Sequence, residues 1–225
     1  IASSTANDNH IKETYNYINF ETAIKTIKNQ AFDQRYNGCS YDPLFLHFRL
    51  MSDNINMFQK MAAIIENNIE GKLLLKNENE QEKLRKPLKD FHNKIIIMVH
   101  TKSKRTLENS DLNNYVNFKS GTGDLQLFRY RQLVAAGENN KILIDDSKTK
   151  LTMVLPDINN SIDNYNPIIP FSNGCQFIGM KMQNLDSNLL FYFEQFKKGG
   201  NYPFYLKPPE KRKDKEVPRT YGDPV

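Results

Sequence analysis

The stretch KIIIMVH, Lys94–His100, decides the fold. Ile95 to Val99 are all apolar, and all but Met98 are β-branched. A strand with one wet face alternates apolar and polar side chains. A strand covered on both faces does not, and such strands belong to parallel sheets packed beneath helices. LTMVLP (Leu151–Pro156) has the same character, and CQFIGMKMQ (Cys175–Gln183) reads as another apolar strand entered from a Gly-Cys pair.

Helical patterns lie between these runs. NFETAIKTIKNQAF (Asn19–Phe32) sets Phe20, Ala23, Ile24, Ile27 and Ala31 on one face, with Asn19 as N-cap. DNINMFQKMAAIIENNIEG carries Ile55, Phe58, Met61, Ala62, Ile65 and Ile69 in helical register and stops at Gly71. SNLLFYFEQFKKGG is a third helix, closed by two glycines. EQEKLRKPLKDFH is a weaker one, interrupted by Pro87. YDPLFLHFRLM (Tyr41–Met51) is a strand whose alternation places Leu44, Leu46, Phe48 and Leu50 on one side and Phe45, His47 and Arg49 on the other. LQLFRYR reads as a strand, KILIDDSKTKLTMV as a hairpin, and FYLKP (Phe204–Pro208) as a last short strand. Strands alternating with helices give an α/β fold with a parallel sheet, doubly wound or barrel. No Gly-rich phosphate loop follows a strand, which counts against a nucleotide-binding Rossmann fold.

Composition narrows the function classes. The chain has 225 residues, a formal charge of +5 and a pI near 9.0, which suits an anionic partner. Part of that charge sits in KPPEKRKDKEVPR (Lys207–Arg219), read as a solvated basic tail without the aromatic–basic interleaving of nucleic-acid binders, so nucleic acid is not the expected partner. Two cysteines, Cys39 and Cys175, are too few for a disulfide framework and read as free thiols in an intracellular, reducing compartment. No run approaches the roughly 20 apolar residues of a membrane span.

Several motifs, in order, resemble the catalytic barrel of eukaryotic phosphoinositide-specific phospholipase C. INFETAIKTIKNQAF (Ile18–Phe32) is similar to the family's Phe-x-Asp-Val-Ile helix ending in Ala-Phe. YDPLFLHFRL followed by MFQKMA resembles its Tyr-Pro-Val-Ile-Leu-Ser-x-Glu strand and Gln-x-x-Met-Ala helix. NSDLNNYVNF (Asn109–Phe118) resembles the opening of the second catalytic half, NYNPIIPFSNGCQFIGMKMQ (Asn164–Gln183) its Asn-Tyr-Asn-Pro loop and Gly-Cys-Gln strand, and GGNYPFYLKP its final strand. The likeness runs from about His10 to Pro208.

This resemblance implies a (β/α)8 barrel that is incomplete here. Six of eight strands are expected, so an upstream segment or another chain would complete it. The implied domains are residues 1–108 as the first half barrel, lacking its first two strands, 109–208 as the second, and 209–225 as the tail. It also implies phosphodiester cleavage by histidine acid–base chemistry with calcium neutralising the phosphate. His10 has the spacing of a catalytic histidine, though the family's His-Gly is His-Ile here. Arg49 stands where the family has a calcium-ligating Glu. A cation cannot ligate calcium, so no metal is expected and Arg49 becomes a phosphate-binding candidate, as in bacterial relatives that use Arg in the metal's place. Lys207, in the matching Leu-Lys-Pro, is a second phosphate-binding candidate.

Met153 and Leu155 replace the family's phosphate-binding Arg and its neighbouring Tyr. The family's phosphate-contacting Lys is missing after KIIIMVH, where His100 and Lys102 stand nearby. The resulting expectation is a phospholipase C-like phosphodiesterase domain that is degenerate and inactive as this chain. Anionic phospholipid is an expected partner, at a membrane periphery. The alternative is an inactive barrel kept as scaffold in a larger assembly such as a large-virus particle.

Overall fold

The computed structural model describes residues 17–33, 41–74, 86–121, 123–159, 161–200 and 202–213. Helix α1 (Phe20–Gln30) starts where the Asn19 side chain accepts a hydrogen bond from the Glu21 N–H at 2.9 Å. Strand β1 (Leu44–Leu50) follows, then helix α2 (Ile55–Ile69), capped by Asn54. The buried residues of α2 are Phe58, Met61, Ala62, Ile65 and Ile69, the apolar stripe that the periodicity predicts. A turn of 3-10 helix over Glu70–Lys72 ends α2.

Strand β2 (Ile95–Thr101) is the KIIIMVH run, and it is buried on both faces from Ile95 to Val99. Ile95, Ile97 and Val99 pack outward with α1 and α2, and Ile96 and Met98 pack inward. The short helix α3 (Lys104–Glu108) leads to strand β3 (Phe118–Lys119). Asn117, 1% exposed, fastens β2: its Oδ1 accepts from Ile97 N–H at 2.9 Å, and its Nδ2 donates to Leu74 O at 3.0 Å. Strand β4 (Leu125–Arg129), helices α4 (Tyr130–Ala136) and α5 (Lys141–Thr149), strand β5 (Leu151–Leu155), helix α6 (Ile168–Ser172), strand β6 (Phe177–Ile178) and helix α7 (Ser187–Lys198) complete the order.

Among the described residues all pairings are parallel and run in chain order, β1-β2-β3 and β4-β5-β6, and a parallel bridge, Ser120–Leu125, links the two groups. Phe45 of β1 and Phe177 of β6 touch, with ring centroids 5.0 Å apart. These are inward side chains from opposite ends of the row, so the row curls until its ends face each other. The inward layer is one core: Ile96, Met98, Phe118, Leu125 and Met153, with Phe45 and Phe177 packed against it.

Four expectations change. The described residues form a curled parallel row, not a closed (β/α)8 barrel: among them only β2 pairs with β1 and only β5 with β6. The expected hairpin over Lys141–Val154 is helix α5 followed by β5, because Asn140 caps the helix by accepting from Leu143 N–H at 3.2 Å. The strand expected over Cys175–Gln183 shrinks to Phe177–Ile178 because side chains claim its backbone. Asn164 Oδ1 takes Lys181 N–H at 2.6 Å, and the Tyr165 hydroxyl donates to Gly179 O at 2.8 Å. Phe204–Pro208 is not in a described strand, and the sixth member of the row is Phe118–Lys119 instead. The Gly-Cys entry does serve a close passage. Gly174 has φ +72°, and a Cβ there would lie 2.6 Å from Ser147 Oγ. Of the helix expected over residues 80–92, residues 80–85 lie outside the described residues, and the remainder holds a 3-10 turn over Leu88–Phe91.

Candidate functional site

Because every pairing is parallel, the C-terminal ends of the strands share one rim. Two inward positions at that rim carry guanidinium groups, and a lysine follows close by. Arg49 is the penultimate residue of β1 and stands in register with His100 of β2. Arg129 ends β4, in phase with inward Leu125 and Leu127, and in register with Leu155. Lys102 follows the end of β2. The Arg129 guanidinium donates from Nη1 to Pro156 O at 2.7 Å, just past the end of β5.

Two histidines stand among these cations. The His100 Nδ1 lies 2.5 Å from Ser120 Oγ. Its pKa is lowered, first by burial and then by Arg49, Arg129 and Lys102. His47 is one inward step below Arg49 on β1, about 7 Å along the strand. Its pKa falls to about 4, through burial first, then His100 and Arg49. Its Nε2 is buried without a hydrogen-bond partner among the described residues. Both imidazoles are therefore neutral at pH 7.

Guanidinium groups on a strand rim match phosphate or carboxylate geometry. A neutral imidazole beside them is a proton acceptor suited to acid–base chemistry or to proton-linked anion binding. A divalent cation does not fit: calcium requires oxygen ligands of negative or neutral charge, and the inward rim positions are Arg49, His100 and Arg129. Among the described residues no group of three or more His, Cys, Asp or Glu side chains is placed to hold a metal ion.

Below the rim lies a half-open, mostly apolar cavity of about 810 Å³, lined by inward Phe45, His47, Met153, Leu155 and Phe177, with Lys207 and Lys211 as its lining cations. Its other wall is α7 and the segment Pro203–Pro208.

Arg49 thus lies in the cluster, but Lys207 is not brought to it. The Lys207 ammonium donates to Ser147 O at 2.8 Å and to Ser147 Oγ at 3.3 Å. Ser147 is in the last turn of α5, just before β5 begins, so Lys207 sits at the opposite end of the strands. Burial lowers its pKa to about 8. The run from Lys207 therefore starts as an anchor and not as a solvated tail: Arg212 Nε donates back to Lys207 O. Beside it, Cys175 is a free, buried thiol whose pKa burial pushes up to about 12. His10 and Cys39 lie outside the described residues.

Met153 and Leu155, the replacements at the expected phosphate-binding positions, both line the apolar cavity. Sequence reading had no site role for Arg129, although alternation along LQLFR put it in phase with Leu125 and Leu127. Nor did it find Ser120, which follows a strand of only two residues.

The chain's fold resembles that of a phospholipase C. PLC21 of L. pealei superposes with a TM-score of 0.59 at 16% identity, over 76% of this chain and 27% of that one. The likeness is one of fold, and this chain spans about a quarter of its neighbour's length. No protein-family model matches the sequence, and no curated protein does. No helix among the described residues is long and apolar enough to cross a membrane.

Proposed function

We propose that this chain is a degenerate phospholipase C-like domain that binds a phosphate-bearing ligand at the C-terminal rim of its strands, without calcium and without hydrolysing it. The observation that carries the reading is the convergence of Arg49, His100 and Arg129 on one rim, where fixed positive charge takes the role a metal would play. Active sites of parallel α/β folds lie at that end of the strands, and the phospholipase C neighbour supplies the same scaffold. The apolar Met153 and Leu155 beneath the rim support loss of inositol-phosphate chemistry, since neither offers the sugar a hydrogen bond.

The second reading is an interaction module. Among the described residues the outer edge of β1 has no strand against it, and the row of eight would be completed there by an upstream segment or a partner chain.

The test uses the full chain. Phosphatidylinositol hydrolysis is assayed with calcium and with chelator, and binding of inositol 1-phosphate is measured by calorimetry. The reading expects no turnover in either condition and metal-independent binding. Arg49→Ala should weaken that binding about 10- to 100-fold, the value of one charge-assisted hydrogen bond. Calcium-dependent turnover would overturn it, as would binding indifferent to Arg49.

A further inference from the structure

The apolar cavity has a charged end of its own, away from the rim. Lys207 and Lys211 line it, and among the described residues no Asp or Glu side chain does. The half-buried Lys207 ammonium rests on neutral acceptors, Ser147 O at 2.8 Å and Ser147 Oγ at 3.3 Å, the Ser147 hydroxyl itself donating to Ile144 O. Lys211 Nζ donates to another carbonyl, Phe171 O, at 3.5 Å. The charge nearest to hand is no counterion: Lys148 adds to the positive field at Lys207 and is itself paired with Asp145. Burial lowers the Lys207 pKa only to about 8, so it is mostly charged at pH 7. A charge drawn partly out of water against neutral dipoles is costly to hold, and an anion beside it offsets that cost. Away from the lysines the walls are aromatic. The tilted rings of Phe45 and Phe177 sit 5.0 Å apart, and the Phe204 ring is 6.1 Å from that of Phe45. At about 810 Å³ the cavity falls within the roughly 300–1,000 Å³ typical of small-molecule sites.

We infer that this cavity is a second ligand site, built for an apolar monocarboxylate whose carboxylate sits at Lys207 and Lys211 and whose apolar body lies along Phe45, Phe177 and Phe204. The lysines choose the head. No guanidinium fork lines the cavity, and two acceptors of Ser147 already occupy the Lys207 ammonium, so a compact, singly charged group fits where a dianionic phosphate would be left short of partners. The rings choose the body, which leaves water for their surfaces. One short segment, Pro203–Pro208, supplies both a ring and an ammonium to the same wall. The site lies at the opposite end of the strands from Arg49, His100 and Arg129, so it stands or falls independently of the phosphate-binding reading.

The experiment titrates the full chain with octanoate, acetate, octanol and octylamine at pH 7, and calorimetry reads the affinities. Octanoate should bind, and acetate should bind on the order of 100-fold more weakly or less, since it lacks the body. Octanol should fall about 10-fold below octanoate, and octylamine, a cation at this pH, further still. Lys207→Met should weaken octanoate about 10-fold and leave octanol unchanged, whereas Arg49→Ala, at the other end of the strands, should leave octanoate unchanged. The ligand series needs no variant, so it decides the matter even if the methionine disturbs folding. No octanoate binding would overturn the inference outright. Acetate binding as tightly as octanoate would overturn the cavity's part in it, and octanol or octylamine binding as tightly as octanoate would overturn the part of the lysines. Octanoate binding lost in Arg49→Ala and kept in Lys207→Met would put the carboxylate on the rim and overturn the placement.

Discussion

His47 makes the protein acid-sensitive in a way that can be worked out from its surroundings. Buried one step below Arg49, it has a folded pKa of about 4 against an ordinary 6.5. Between these values the unfolded chain binds a proton that the folded chain refuses, so stability falls as pH falls. The contribution is intact above pH 6.5. Its loss is about 1.4 kcal/mol at pH 5.5 and about 3 kcal/mol at pH 4, from roughly 1.36 kcal/mol for each pH unit of difference. Against a total stability of about 5–15 kcal/mol, that is a large share.

His47→Leu fills a similar volume and removes a buried Nε2 that lacks a partner among the described residues. The variant should be at least as stable as the parent at pH 7.5. Urea unfolding of both chains at pH 7.5, 5.5 and 4 reads the difference. The gap in favour of the variant should widen by about 3 kcal/mol over that range. Asp146 and Asp186, whose pKa values are lowered below 3.8, lose their contributions at still lower pH and do so in both chains, so they cancel. Parallel pH profiles for the two chains would refute the reasoning, because they would mean that His47 charges as readily folded as unfolded.

Three further outcomes are expected. Affinity for a phosphodiester such as dimethyl phosphate, a monoanion throughout, should rise from pH 7.5 to 5.5, since burial first and then Arg49 and Arg129 lower the His100 pKa and an anion on those guanidiniums favours its protonated form, and calorimetry in two buffers should record proton uptake on binding; affinity independent of pH would remove His100 from the site. Asn117→Leu should cost about 2–4 kcal/mol in urea unfolding, because Ile97 N–H and Leu74 O are left buried without it, and a cost under about 1 kcal/mol would show that they find other partners. Lys207→Met should lower stability by about 1–2 kcal/mol and leave phosphate affinity unchanged, because its bonds are to Ser147; a drop in affinity with stability unchanged would restore Lys207 as a phosphate-binding residue.

How much of this was legible in the sequence depended on what each residue answers to. β2 was legible because five successive apolar residues admit one solution, burial on both faces. α2 was legible because its apolar spacing is helical and its cap is an Asn. The segment Lys141–Val154 was not, because its β-branched residues favour a strand while the deciding group, the Asn140 side chain, lies outside the run. Strand β6 was overread for the opposite reason. Its apolar residues fit a strand, but Asn164, 13 residues upstream of Phe177, takes the Lys181 N–H and turns the chain away. Local pattern sees side-chain hydrophobicity and is blind to a distant side chain that competes for the backbone.

The site followed the same division. The inward face of Arg49 was legible from one strand, since alternation alone sets it. The cluster was not, because it exists only through register: β1 meets β2 so that Arg49 stands beside His100, and β4 meets β5 so that Arg129 stands beside Leu155. A slip of one residue in either pairing would turn a basic side chain outward and an apolar one toward the rim. Two amides fasten the neighbouring pairings: Asn117, just before β3, ties β2 to β3, and Gln176, just before β6, ties β5 to β6, its Oε1 accepting from Thr152 N–H at 2.8 Å. Both are amides that fix backbone and touch no member of the cluster. The basic cluster is therefore a property of strand alignment, β1 on β2 and β4 on β5, and no single strand carries it.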